Sequence, residues 1–157
     1  MRTGIGYDVH RFCDGEAVTL GGTRIPYGRG LQGHSDADVL VHALMDAVLG
    51  AAGLPDIGVL FPNDDPAYLG RSSIELAALV RRRVEQKGLK VLQLDSVLIA
   101  EEPKIAPYRS RMKSAIAPAF GIPEEFVGIK ATTNEGLGFV GRREGICALA
   151  TALLDNA

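Results

Sequence analysis

The stretch SDADVLVHALMDAVLGAAG, Ser35 to Gly53, decides how the rest of the chain must fold. Nearly every side chain from Val39 to Leu49 is apolar, so a helix here has no broad polar face to offer water and belongs among other elements. Ser35 stands as an N-cap, Asp38 follows in capping-box position and Gly53 supplies a stop, so the expected helix runs from Asp36 to Ala52. The exceptions to its apolar surface, Asp38, His42 and Asp46, are spaced i, i+4, i+8 and form one line. Such a line needs partners, because an unpaired buried carboxylate is strongly destabilising.

The N-terminal segment offers them. Residues 2 to 12 alternate, with Ile5, Tyr7 and Val9 on one side and Gly6, Asp8, His10 and Phe12 on the other, which predicts a strand with Asp8 and His10 on one face. The chain has 3 histidines, His10, His34 and His42, all in these two glycine-flanked, Asp-bearing regions. A carboxylate and two imidazoles suit Zn²⁺, and three protein ligands leave a fourth position open, as in catalytic centres. Asp8, His10 and His42 are therefore the candidate ligands, with ordinary buried histidines as the alternative. Asp46, one turn after His42, is placed to accept its second ring N–H.

Working outward, Ala17–Leu20 and Thr23–Tyr27 read as a hairpin around Gly21-Gly22, with Pro26 placing it at an edge. Gly53 to Arg71, rich in turn formers, reads as a long loop. A helix follows from Ser73 to Lys87, its Arg81-Arg82-Arg83 run suiting the helix dipole on a solvated face. Leu89–Ala100 reads as a strand, Pro107–Phe120 as a helix, Val127–Thr133 as a strand and Asn134–Gly145 as a glycine-rich turn region. Ile146–Leu154 is apolar throughout, which fits either a helix or a buried strand.

At 157 residues the chain fits one domain, and about 70% of its unfolded surface can be buried without staples. A net charge of -2 leaves no footprint for nucleic acid. Cys13 and Cys147, far apart and without metal-ligand spacing, read as plain thiols of a reduced cytoplasmic protein. The first residues lack the apolar stretch of a signal peptide, and the longest apolar run, Val39 to Leu54, is interrupted by His42 and Asp46, so neither export nor a membrane span is expected.

Two further segments suit anions. Gly33-His34-Ser35, at a helix start, offers backbone N–H groups to a phosphate, or is an ordinary cap. Lys130-Ala131-Thr132-Thr133-Asn134-Glu135-Gly136 offers hydroxyls, turn N–H groups and a carboxylate able to reach Mg²⁺ through a phosphate, or is a plain strand-to-loop turn.

These motifs together carry a resemblance. Gly6-Tyr7-Asp8-Val9-His10-Arg11-Phe12, Gly33-His34-Ser35-Asp36-Ala37-Asp38, Asp56-Ile57-Gly58 with Phe61-Pro62, Pro103-Lys104, and Lys130-Ala131-Thr132-Thr133 with Gly141-Arg142 and Glu144-Gly145 resemble the 2-C-methyl-D-erythritol 2,4-cyclodiphosphate synthases from end to end. The resemblance implies an enzyme of the non-mevalonate route to isoprenoid precursors. Its substrate would be 4-diphosphocytidyl-2-C-methyl-D-erythritol 2-phosphate, and its products the cyclic diphosphate and CMP.

By that resemblance Asp8, His10 and His42 bind Zn²⁺, Asp8 and His10 also contact substrate, and His34 and Ser35 touch substrate phosphate. Asp56, Ile57, Gly58 and Phe61 line the erythritol subsite. Ala100, Pro103, Lys104, Ile105 and Ala106, with Ala131, Thr132, Thr133 and Asn134, form the cytidine and diphosphate pocket. Glu135 binds Mg²⁺ or Mn²⁺, and Phe139 and Arg142 border an axial cavity. His34, Asp46, Lys104, Thr133 and Glu135 are the expected catalytic side chains. Glu101 stands where the family commonly has Gln, Asn63 where Asp is common, and Asn134 where Thr is frequent.

The resemblance also makes the terminal segment a strand. The expected fold is then α+β, one domain over residues 1–157, with a four-stranded mixed sheet, helices on one face and a small edge hairpin. Three copies would assemble as a homotrimer, sheets facing the threefold axis and active sites shared between neighbours. Two rival functions keep the same residues: a metal-dependent phosphohydrolase using water as nucleophile, and a nucleotide-binding trimer without catalysis.

Overall fold

Glycine governs the packing of the first strand on the buried helix. In the computed structural model, which describes residues 1–62, 64–68 and 70–157, a Cβ added to Gly4 would lie 2.1 Å from the Ala47 carbonyl oxygen. One added to Gly6 would lie 2.0 Å from that of Ala43. Strand backbone therefore rests directly on helix backbone. Asn63 lies outside the described residues.

In chain order the elements are β1 (Arg2–Cys13), β2 (Ala17–Leu20), β3 (Thr23–Pro26), β4 (Gly30–Leu31), α1 (Val39–Ala52), α2 (Ile57–Leu60) and α3 (Ser73–Glu85). Then come β5 (Leu89–Ile99), α4 (Arg109–Phe120), β6 (Val127–Thr132), α5 (Gly138–Gly141) and β7 (Gly145–Asn156). The main sheet has the order β4-β1-β7-β5-β6, with β5 and β6 parallel and the other pairs antiparallel. The α1, α3 and α4 helices cover one face, where Leu94, Leu98, Ala148, Ala150, Ala152 and Leu154 are buried. On the opposite face Ile5, Tyr7, Val9 and Leu149 stay exposed.

The α+β class and the helix-covered mixed sheet agree with expectation, and the strand count does not. Five strands pair where four were expected, because Gly30–Leu31, too short to show any period, pairs with Phe12 and Cys13. The hairpin forms its own two-stranded sheet rather than an edge of the main one. Its turn is held by helices: Gly21 abuts Met112 and Gly22 abuts Ile74 and Ala115. The terminal segment is a strand, β7, between β1 and β5, with Ala148, Ala150, Ala152 and Leu154 beneath the helices and Leu149 and Thr151 exposed on the other face. The 53–71 loop contains α2, and the glycine-rich region contains α5. Both cysteines are free.

Helix α1 begins at Val39, not Asp36, and its N-cap is Asp38, not Ser35. Ala37 has φ 54°, which breaks helical continuity there. The fully buried Asp38 carboxylate accepts N–H bonds from Val41 at 3.1 Å, Gly21 at 2.8 Å and Gly22 at 2.6 Å, tying the hairpin turn to the helix. Burial and the neighbouring Asp36 charge push this carboxyl up from the usual carboxylate range, against the pull of those three donors. At the far end Gly53 adopts φ 65° and closes the helix as expected.

Two substitutions test this frame by urea unfolding. Asp38→Ala removes a cap and strands buried N–H groups, and should cost about 3 kcal/mol. Gly6→Ala drives a methyl into the α1 backbone and should cost about 2 kcal/mol or more. Losses within about 0.5 kcal/mol, as at ordinary surface positions, would contradict the assigned contacts.

Candidate metal centre and substrate cavity

Asp8 and His10, two apart on β1, point to the helix-covered face, and His42 projects from α1 to meet them. Asp8 Oδ2 lies 3.0 Å from His10 Nε2 and 3.0 Å from His42 Nδ1, and the two nitrogens are 3.1 Å apart. These three residues form a group arranged to hold a metal ion. The donor chemistry fits one. His10 Nδ1 donates to the Gln32 carbonyl at 2.6 Å, so in the neutral ring Nε2 carries the lone pair that faces the cluster. One carboxylate oxygen and two imidazole nitrogens at one point are a Zn²⁺ donor set, with room for a fourth ligand from substrate or water.

The same atoms also attract protons. Burial would raise Asp8, but its contacts with His10 and His42 outweigh that and hold its carboxyl at about 2. Burial would lower His10, yet the bonds to Asp8 and the Gln32 carbonyl prevail and raise it.

The cluster floors a cavity of about 230 Å³. Of the expected substrate residues, His34, Ser35, Ile57, Gly58 and Phe61 line it with Asp8 and His10. Asp56 instead caps α2, accepting the Val59 N–H at 3.1 Å. Gly33-His34-Ser35 precedes the first turn of α1, so it is not the expected helix N-terminus, and any hold on phosphate there falls to the loop and its side chains. Met45, Asp65, Tyr68 and Leu76 also line the cavity and were not singled out from sequence, where they read as core or loop residues.

Asp46 does not take the His42 ring N–H. Its carboxylate accepts the Ile57 N–H at 2.9 Å, anchoring α2 beside the cavity. His42 Nε2 faces Ser73 Oγ at 2.9 Å and Ser35 Oγ at 3.2 Å instead. The i, i+4 spacing put Asp46 on the same helix face, but the His42 ring turns outward to β1 on one side and α3 on the other. Ser73 had read only as a helix start.

The residues expected to line a nucleotide pocket gather elsewhere. Parallel pairing sets the ends of β5 and β6 together, Ile99 opposite Thr132, and the Ala100 N–H donates to the Thr132 carbonyl at 3.0 Å. Pro103, Lys104, Ile105 and Ala106 follow β5, and Thr133, Asn134 and Glu135 follow β6. Glu101 Oε1 accepts the N–H groups of Asn134 at 2.9 Å and Gly136 at 3.3 Å, so Glu at this position braces the turn that carries Glu135. The Thr133 hydroxyl donates to Glu135 Oε1 at 3.0 Å. Phe139 lies on α5, and Arg142 pairs with Glu144 at 2.7 Å. Among the described residues, none of this group lines the metal cavity.

An α+β fold whose sheet joins an Asp-His-His cluster to a small cavity defines a protein with a site arranged to hold a metal ion beside a pocket. The chain belongs to the YgbB family, whose model matches residues 1–155. It is 53% identical to the 2-C-methyl-D-erythritol 2,4-cyclodiphosphate synthase of Desulfatibacillum aliphaticivorans, over 99% of this chain and 100% of that one. A solved 2C-methyl-D-erythritol-2,4-cyclodiphosphate synthase superposes with TM-score 0.90 at 38% identity, covering 98% of this chain and 100% of that one. A CDP complex of the Plasmodium falciparum IspF superposes with TM-score 0.85 at 32% identity, covering 99% of this chain and 96% of that one.

The raised His10 sets a pH dependence. Below its pKa the imidazolium has no free lone pair, so binding Zn²⁺ must displace a proton. Affinity measured by chelator competition should fall about tenfold per pH unit as pH drops through that range, and level off above it. Equal affinity at about pH 6 and about pH 8 would contradict the assignment of His10 as a ligand.

Proposed function

We propose that this chain converts 4-diphosphocytidyl-2-C-methyl-D-erythritol 2-phosphate into 2-C-methyl-D-erythritol 2,4-cyclodiphosphate and CMP, as a phosphorus-oxygen lyase of the non-mevalonate pathway in the cytoplasm. The observation that carries this reading is the convergence of Asp8, His10 and His42 at the floor of the cavity. Full-length similarity to proteins named as synthases of 2-C-methyl-D-erythritol 2,4-cyclodiphosphate supports that product.

The 2-phosphate is already anionic near neutrality and attacks the β phosphorus without a strong base, provided the phosphates are held together against their repulsion. Asp8, His10 and His42 would hold Zn²⁺, which would supply Lewis-acid polarisation, and Glu135 would hold Mg²⁺ or Mn²⁺, which would supply charge neutralisation for the leaving CMP. His34 and Ser35 hold substrate phosphate, and Asp56 with Gly58 orients the erythritol. Asp46 acts through Ile57, fixing that wall of the cavity. Lys104 and Thr133 grip the diphosphate, with Ala100, Pro103, Ile105, Ala106, Ala131, Thr132 and Asn134 around the cytidine. Fixing both ends of one molecule makes the attack intramolecular, which can lower a barrier by about 7 to 11 kcal/mol.

The site is shared between subunits of a homotrimer in this reading. Two observations support that assembly: the cavity and the nucleotide-side cluster lie apart within one chain, and the sheet face opposite the helices exposes Ile5, Tyr7, Val9 and Leu149. No helix among the described residues is long and apolar enough to cross a membrane.

Phosphorus NMR of the purified protein with this substrate, Zn²⁺ and Mg²⁺ tests the activity. A cyclic diphosphate appearing with CMP is expected. Linear phosphate products would mean a phosphohydrolase, and CMP binding without turnover a nucleotide-binding protein. In the same assay His42→Ala should lose its zinc and about 100-fold or more of turnover; full zinc occupancy with unchanged turnover would overturn the ligand assignment.

A further inference from the structure

The His42 nitrogen that faces away from Asp8 meets two residues from different parts of the chain. Ser73 is fully buried at the start of α3, with Oγ 2.9 Å from His42 Nε2. Its hydroxyl donates to Asp36 Oδ1, and its backbone N–H donates to Asp36 Oδ2 at 3.0 Å. Capping of α3 does not need this hydroxyl, because Ser72 caps the helix and accepts the Ile74 N–H at 3.3 Å.

A serine hydroxyl has one proton, and a carboxylate only accepts. With that proton committed to Asp36, Ser73 Oγ presents a lone pair to His42, so Nε2 must bring the hydrogen. Ser35 Oγ, 3.2 Å from the same nitrogen, stands as a second acceptor. A neutral ring protonated at Nε2 carries its lone pair on Nδ1, the atom 3.0 Å from Asp8 Oδ2. The opposite tautomer would set two lone pairs against each other between Ser73 and His42 in a buried position, whereas the Nε2–H tautomer leaves the facing lone pairs at His42 Nδ1 and Asp8 Oδ2, where a cation between them satisfies both.

We propose that Ser73 and Asp36 are positioning residues of the metal centre: together they hold His42 in the Nε2–H tautomer and so aim its Nδ1 lone pair at the ion. The Asp36 charge, passed through the Ser73 hydroxyl, also makes the ring a stronger donor. This inference rests on the reading of Asp8, His10 and His42 as Zn²⁺ ligands. Asp36→Asn is informative because its amide can donate to Ser73 Oγ, which frees the Ser73 proton to turn toward His42 and favour the wrong tautomer.

The test combines nitrogen-15 NMR of the histidine rings in the zinc-loaded protein with chelator-competition affinities for Ser73→Ala and Asp36→Asn, their folding checked by circular dichroism. His42 should carry its proton on Nε2, both variants should bind Zn²⁺ about 10- to 100-fold more weakly, and their Co²⁺ forms should show shifted visible bands. A His42 proton on Nδ1 in the loaded protein, or folded variants within about twofold of the parent affinity, would overturn the relay and leave the metal centre standing. Absence of stoichiometric Zn²⁺ from the parent protein, or its retention by His42→Ala, would overturn both. If a variant does not fold, the His42 Nε2–H of the zinc-loaded parent decides: a slowly exchanging proton is expected from its bond to Ser73 Oγ, and one that exchanges as fast as a solvent-exposed imidazole proton would overturn the relay.

Discussion

The close approach of β1 to α1 is the constraint on which the other features depend. Side chains at positions 4 and 6 would collide with the carbonyls of Ala47 and Ala43, so glycine lets strand backbone lie on helix backbone. Asp8 and His10 continue the same strand face beyond this contact, and His42 lies just upstream of Ala43 on the helix. The metal cluster is thus a consequence of how the core packs. Asp38 secures the same end of α1 by joining its first turn to the Gly21-Gly22 turn.

Much of this was legible in the sequence because β1 and α1 carry strong periodic signals. Alternation along residues 2 to 12 put Asp8 and His10 on one face, and the polar line of α1 demanded partners. The features that were not legible depend on contacts between distant segments. A capping box is a local rule, whereas Asp38 is held by N–H groups 16 and 17 residues away, which moved the helix start from Asp36 to Val39. Helical spacing placed Asp46 beneath His42 but carries no information on ring orientation, so the Ile57 contact and the Ser73 contact both escaped notice. A strand as short as Gly30–Leu31 has no pattern to read. The terminal segment stayed ambiguous because the outer face of β7 also carries apolar side chains, Leu149 and Leu153, so burial alternates along the strand while hydrophobicity does not.

The division of the site follows from topology as well. The Asp8-His10-His42 cluster lies between β1 and α1, while the residues proposed to hold the nucleotide cluster where the parallel strands β5 and β6 end. In the proposed trimer the exposed apolar sheet face would meet its copies and bring one chain's cavity to the other's loop cluster. Glu101 then has a role tied to its charge: its carboxylate receives two N–H groups from the turn bearing Glu135, a stronger brace than a neutral amide would make.

The central claim is that three lone pairs converge on one ion between β1 and α1. Anomalous diffraction at the zinc edge, from crystals of the protein purified with Zn²⁺, addresses it directly. The account predicts one strong peak at about 2.0–2.2 Å from Asp8 Oδ2, His10 Nε2 and His42 Nδ1. A peak bound elsewhere, or none at this cluster while the fold is intact, would contradict it.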